Sequence, residues 1–241
     1  MDVREPAKER MLNSQLPRSR CLFPYKGGHA RTCFDLHPHK GLETVTVAYQ
    51  GELEHRDSSG GGGTIGAGDV QWMTAGNGIV HEEFHLQDFT RESGTLQRVR
   101  LWVNLRAKDK SAKPCCQTFL KSQIPTLDLP QAAGTVRVIA GEPDDTKEPA
   151  KTFAPINLWD VNLRAGKSAD LPLPDGHTSA FLVLSAEVSV YGERKPGEGD
   201  LAIFAHGGDG ITVKANSDAK LLVMAGQPIA EPVVDHGLGG M

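Results

Sequence analysis

Short apolar runs closed by glycine, proline or polar turns recur along the chain, and few of them are long enough for a helix. Thr44 to Ala48 is β-branched and apolar, Val70 to Met73 and Leu101 to Leu105 are short runs of the same kind, and Gly60 to Gly63 interrupts the pattern. Strands and hairpins fit this spacing better than helices. The glycine run lacks the Gly-Lys-Ser/Thr ending and the following helix of a phosphate loop, so it is expected to be a hairpin tip.

In a strand, residues two apart face the same way. His37 and His39 therefore project together, as do His81 and Glu83. If their strands lie across a barrel from one another, three imidazoles and one carboxylate converge on one point. Such a set suits a single first-row metal ion and leaves coordination positions open for substrate or dioxygen. The plain alternative is a surface His-x-His and a buried, hydrogen-bonded His81. Two same-face pairs, each beside a glycine turn, favour the metal site. By parity Glu82 points away from His81, whereas Glu43 stays a rival ligand if the strand runs regularly through Gly41.

The second half appears as a repeat of the first. Ser185 to Val190 mirrors Gln50 to His55, and Pro196 to Leu201 mirrors Ile65 to Val70. Counting along the copies puts Pro174, Thr212 and Lys214 where the first half has His39, His81 and Glu83, so the second half is expected to be metal-free. His177, His206 and His236 are isolated in the sequence.

Composition narrows the function classes. The chain has 241 residues, 39% of them hydrophobic, with 27 glycines, 15 prolines and a net charge of -4. That suits a turn-rich β protein and argues against a broad nucleic-acid footprint. No apolar stretch approaches the length of a membrane span. The start of the chain shows no secretory signal pattern. Cys21, Cys33, Cys115 and Cys116 lack zinc or disulfide spacing, so reduced thiols in a cytoplasmic protein are expected.

His37 to Gly60 (HPHKGLETVTVAYQGELEHRDSSG) and Gly68 to Phe84 (GDVQWMTAGNGIVHEEF) resemble the two metal-bearing motifs of the pirins, a branch of the cupin superfamily. The likeness continues through RLWVNLRAKDK, TVRVIAGE, WDVNLRAG and LLVMAGQPIAEPV. It implies an all-β bicupin, two jelly-roll β-barrel domains in tandem. The implied layout is a divergent or disordered segment at 1–33, a metal-binding domain at 34–106, a connector with a short helix at 107–134 and a metal-free domain at 135–241. It further implies one divalent ion, Fe(II) first and Mn, Ni, Co or Zn otherwise, on His37, His39, His81 and Glu83.

Two functions go with the resemblance. One is a quercetin 2,3-dioxygenase acting on a flavonol and dioxygen, with Glu83 as ligand and as base for the 3-hydroxyl. The other is an iron- or redox-responsive regulator binding a transcription factor or metabolic enzyme. Arg100 stands where pirins commonly carry Gln. Facing the pocket, its charge would favour an anionic substrate or weaken metal binding; facing outward it would do neither.

Overall fold

The computed structural model describes residues 21–22, 32–86, 95–141 and 149–232. Most of the segment 1–33, and His236 with it, lies outside these residues. The described chain falls into two compact units, one ending at Gln123 and taking in 229–232, the other spanning Ile124–Pro228. Every strand pairing in both is antiparallel. Among the described residues no helix is long and apolar enough to cross a membrane.

The first unit is built from β1 (Cys21–Leu22), β2 (Thr32–His39), β3 (Leu42–Gln50), β4 (Leu53–Asp57), β5 (Gly62–Ile65), β6 (Val70–Thr74), β7 (Ile79–His85), β8 (Thr95–Asn104) and β9 (Cys115–Phe119). They form two sheets, ordered β1-β8-β3-β6-β9 and β2-β7-β4-β5. The β-branched run predicted as a strand is the centre of β3, buried on both faces from Leu42 to Ala48. By contrast β7 alternates buried and half-buried positions through its whole length, so one face looks inward. The glycine run is the tip of the β4–β5 hairpin, as expected.

The second unit contains β10 (Thr126–Asp128), β11 (Gly134–Ala140), β12 (Ile156–Leu163), β13 (Ser168–Pro172), β14 (Thr178–Ser185), β15 (Val188–Val190), β16 (Leu201–Ile203), β17 (Gly210–Ala215) and β18 (Ala219–Gly226). Its sheets are β10-β11-β12-β18-β14-β16 and β13-β17-β15. Apolar side chains from both, among them Val161, Phe181, Leu221, Leu171 and Val213, close one continuous core. The segment 107–134 does more than connect. It supplies β9 to the first unit and β10 to the second, with single 3-10 turns at Ala107–Asp109, Lys121–Gln123 and Pro130–Ala132.

The internal repeat is visible in the hydrogen bonds. Gly66 N–H donates to Asp69 Oδ2 at 2.8 Å, and Gly197 N–H donates to Asp200 Oδ2 at 2.9 Å. The same turns dock on equivalent strands: Gly68 N–H reaches Ala48 O at 2.8 Å, and Gly199 N–H reaches Val183 O at 2.7 Å. Gly51 and Ala186 occupy the same left-handed turn, with φ of 79° and 70°. That conformation disfavours a side chain, so its retention at Ala186 shows how firmly the strand spacing fixes the turn.

Candidate metal centre

The site grows out of strand pairing. Strands β2 and β7 are neighbours in one sheet, with His37 directly opposite His81. They do not face each other across a barrel, as the sequence spacing had suggested. Directly opposed residues in an antiparallel pair share a face and sit about 4.5–5.5 Å apart, so adjacency alone brings the imidazoles together. The ring centroids of His37, His39 and His81 lie 4.4 to 5.0 Å apart, and one nitrogen from each falls within 4.8 Å of the other two. His37 Nε2 and His81 Nε2 are 3.0 Å apart. Two nitrogens bound at right angles to one ion, each at about 2.0–2.1 Å, would stand about 3.0 Å apart. The Nδ1 atoms of His39 and His81 are buried without hydrogen-bond partners, which leaves both rings unanchored on that side. The three imidazoles fit a metal ion.

Glu83 lies on the same face of β7, but cations already hold it. Arg98 donates to its Oε2 and Arg100 to its Oε1, both reaching over from β8 in the other sheet. The three side chains are almost fully buried, at 3% exposure for Glu83, 3% for Arg98 and 10% for Arg100. The second terminal nitrogen of Arg100 lies 2.9 Å from His81 Nε2 and 3.3 Å from His39 Nε2. Arg100 thus faces the pocket and touches three of the four residues expected to bind metal. Burial draws its pKa down to about 10, so it is still protonated at neutral pH.

The rival carboxylates separate cleanly. On β3 the residue paired with Arg100 is Thr46, so Thr44, Thr46 and Ala48 share the pocket face and Glu43 points the other way. Glu43 accepts a hydrogen bond from Thr74 Oγ1 at 2.7 Å, and burial raises its pKa. Glu82 is half-buried on the outer face of β7. Sequence reasoning missed Arg98, and also His55, Asp57 and Cys116, which form a second group of converging donors. The signal for Arg98 was there: Arg98 and Arg100 repeat the two-residue period of His81 and Glu83.

The second unit shows what this fold does without such chemistry. The pairs His55–Glu83 and Val190–Val213 are equivalent, as are His37–His81 and Leu171–Ile211. By the same registers His39, Arg98 and Arg100 correspond to Leu173, Leu221 and Val223. Counting along the sequence had pointed to Pro174, Thr212 and Lys214. Those counts are off by one, because the chain from Asp200 to Ile211 is one residue shorter than that from Asp69 to His81, while the chain from Leu173 to Ala186 is one residue longer than that from His39 to Gly51. A one-residue slip exchanges the faces of a strand. All seven counterparts are buried and apolar. A core that closes with Leu, Ile and Val carries four imidazoles, a carboxylate and two guanidinium groups in the first unit. Burying such groups opposes folding, so their presence points to function.

The electrostatics fit a cation site waiting in neutral form. Burial, reinforced by the Arg100 charge, lowers His39 to about 3 and His81 to about 2, and burial lowers His37 as well. His55 and His85 shift the same way, again through burial. Below the ordinary 6.5 the unfolded chain therefore takes up protons that the folded chain refuses. Stability then falls as pH drops from that value toward the folded values. Glu43 and Asp160, raised by burial, act in the opposite sense but are fewer. The urea midpoint of metal-free protein is expected to be lower at pH 5 than at pH 7. An equal or higher midpoint at pH 5 would contradict this electrostatic picture.

Two tandem jelly-roll units, one with a histidine-lined interior and one with an apolar interior, define a bicupin. The model of the family described as Pirin matches residues 23–103, and that of the Pirin C-terminal cupin domain matches 158–238. A Pseudomonas aeruginosa protein named "Putative quercetin 2,3-dioxygenase" is 48% identical over 201 residues, 83% of this chain and 70% of that protein. Human Pirin is 34% identical over 224 residues, 88% of this chain and 72% of its own length. The solved quercetin 2,3-dioxygenase from Acinetobacter baumannii superposes with a TM-score of 0.81 at 45% identity, covering 85% of this chain and 71% of that one. The chain belongs to the pirin family.

Proposed function

We propose that the N-terminal unit holds one divalent first-row metal ion, iron(II) first, on His37, His39, His81 and Glu83, and that the protein is a flavonol-cleaving dioxygenase of the quercetin 2,3-dioxygenase type. The observation that carries this reading is the convergence of three neutral imidazoles at positions whose counterparts in the second unit are all apolar. The names of the Pseudomonas and Acinetobacter relatives support the choice of substrate. Manganese, nickel, cobalt or zinc would suit the same donors. Free Cys115 and Cys116 suit a reducing, cytoplasmic setting.

When bound, the ion would supply a Lewis-acidic, redox-capable centre with open positions for a substrate oxygen and dioxygen. The residues around it set the terms. Glu83 becomes a ligand, or a base for the flavonol 3-hydroxyl, only when Arg100 releases Oε1; a carboxylate carrying two guanidinium partners is a poor proton acceptor. Arg98 on Oε2 can keep the carboxylate oriented during that exchange, as outer partners of metal ligands do. Trp102, edge-on to His39 at 5.3 Å between centroids, limits how far that ring can turn.

Iron-loaded protein is expected to consume dioxygen with a flavonol and release carbon monoxide. Oxygen-electrode traces with several flavonols check this, with a His37→Ala/His39→Ala variant as the blank. Folded, iron-loaded protein that takes up no oxygen would turn the reading toward a metal-responsive regulator. Stoichiometric partner binding that changes with iron oxidation state would then be the next observation.

A further inference from the structure

We propose a second metal site in the N-terminal unit, formed by His55, Asp57 and Cys116 and suited to a borderline-soft dication such as zinc. His55 and Asp57 lie two apart on β4 and share a face, while Cys116 comes from β9 in the other sheet. One donor atom from each of the three falls within 4.8 Å of the others. His55 Nε2 and Cys116 Sγ are 3.5 Å apart. A tetrahedral zinc ion, at about 2.3 Å from sulfur and about 2.0–2.1 Å from nitrogen, would hold its two ligands about 3.6 Å apart. The spacing is that of two ligands to one ion.

The third donor is prepared as well. Asp57 Oδ1 is fully used: it accepts from Ser59 N at 2.8 Å, Ser59 Oγ at 2.6 Å and Gly61 N at 3.0 Å. Its other oxygen, Oδ2, is buried with no hydrogen-bond partner. A buried carboxylate oxygen left without a partner is costly, and a cation would offset that cost. Gly61 keeps the space open, since a Cβ there would lie 2.4 Å from Oδ2. The tip glycine is thus explained by close approach to the carboxylate.

Gln71 completes the arrangement from behind. Its carboxamide contacts His55 Nδ1. The amide nitrogen of Gln71 is the atom on that side; a half-turn of the carboxamide puts its oxygen there instead, to accept the ring N–H and leave the Nε2 lone pair toward Cys116. Before an ion arrives, Cys116 is a neutral thiol, its pKa pushed up to about 12, chiefly by burial. Ion binding would therefore release the thiol proton to solvent as the metal–sulfur bond forms. The donor set differs from that of the three-histidine site. Sulfur and a tetrahedral spacing favour zinc, whereas imidazoles with a carboxylate suit the harder metals.

Cobalt(II) titration of the full-length, metal-free protein tests the proposal, because a thiolate ligand gives an intense near-ultraviolet charge-transfer band that imidazole and carboxylate do not. Wild-type protein is expected to show the band, complete by two cobalt per chain because the three-histidine site also takes cobalt. The His37→Ala/His39→Ala variant should keep it and saturate at one. Cys116→Ser should abolish it, and Asp57→Asn should weaken the cobalt affinity at least tenfold, with circular dichroism confirming that both remain folded. A wild-type titration without the band would overturn the proposal, and so would a band that survives Cys116→Ser.

Discussion

Glu83→Val is expected to destabilise the metal-free protein by about 3–5 kcal/mol, the usual loss when one partner of a buried ion pair is removed. The cause is what remains: two guanidinium groups, from Arg98 and Arg100, with their shared carboxylate gone from a nearly dry core. Restoring the second unit's solution should reverse the loss. The triple variant Glu83→Val/Arg98→Leu/Arg100→Val copies Val213, Leu221 and Val223, which already pack in an equivalent frame. It is expected to recover to within about 2 kcal/mol of the parent or to exceed it, since apolar replacement of a whole buried ion cluster is often neutral or stabilising. Urea unfolding of the three proteins at pH 7 measures this. A triple variant no more stable than Glu83→Val would mean that the two interiors are not interchangeable and that the repeat is one of topology alone.

The second large effect concerns metal affinity. Arg100→Gln should raise the affinity of the three-histidine site for a divalent ion by at least about tenfold. A single positive charge about 4 Å from a dication repels it by about 8 kcal/mol at an effective dielectric constant of about 20. Most of that repulsion is avoided if Arg100 swings away, so the observed gain will be a fraction of it. Gln keeps hydrogen bonding to Glu83 and the imidazoles while removing the charge. The sequence left two consequences open for a pocket-facing Arg100, and its contacts with His39, His81 and Glu83 favour the weakening of metal binding. Anaerobic titration of the two proteins decides it. Equal or weaker binding by Arg100→Gln would show that the guanidinium supports the ion.

Much of this was legible in the chain, for reasons that can be named. Strand parity placed His37 with His39 and His81 with Glu83, because a two-residue period survives any change in how strands pair. Pairing partners were less accessible. Nothing local says whether β2 and β7 are neighbours or opposite walls, so the three imidazoles were expected together by the wrong route. The repeat was visible in its turns, where Gly-x-Gly-Asp is read directly, but the positions of Leu173, Ile211 and Val213 were missed by one residue. Loop length sets register, and a one-residue slip exchanges the faces of a strand. The contacts of Arg98 and Arg100 with Glu83, and the meeting of His55 with Cys116, join strands of different sheets. Spacing along the chain tells which side chains share a face, as with Arg98 and Arg100, but not which strand of the other sheet they meet.

Anaerobic iron(II) titration in a Cys116→Ser background, so that the second donor group does not contribute, tests the three-histidine site most directly. One equivalent of iron per chain is expected for the parent. None is expected for the His37→Ala/His39→Ala variant, with circular dichroism unchanged. Full iron occupancy in that folded variant would contradict the assignment of the ion to these histidines.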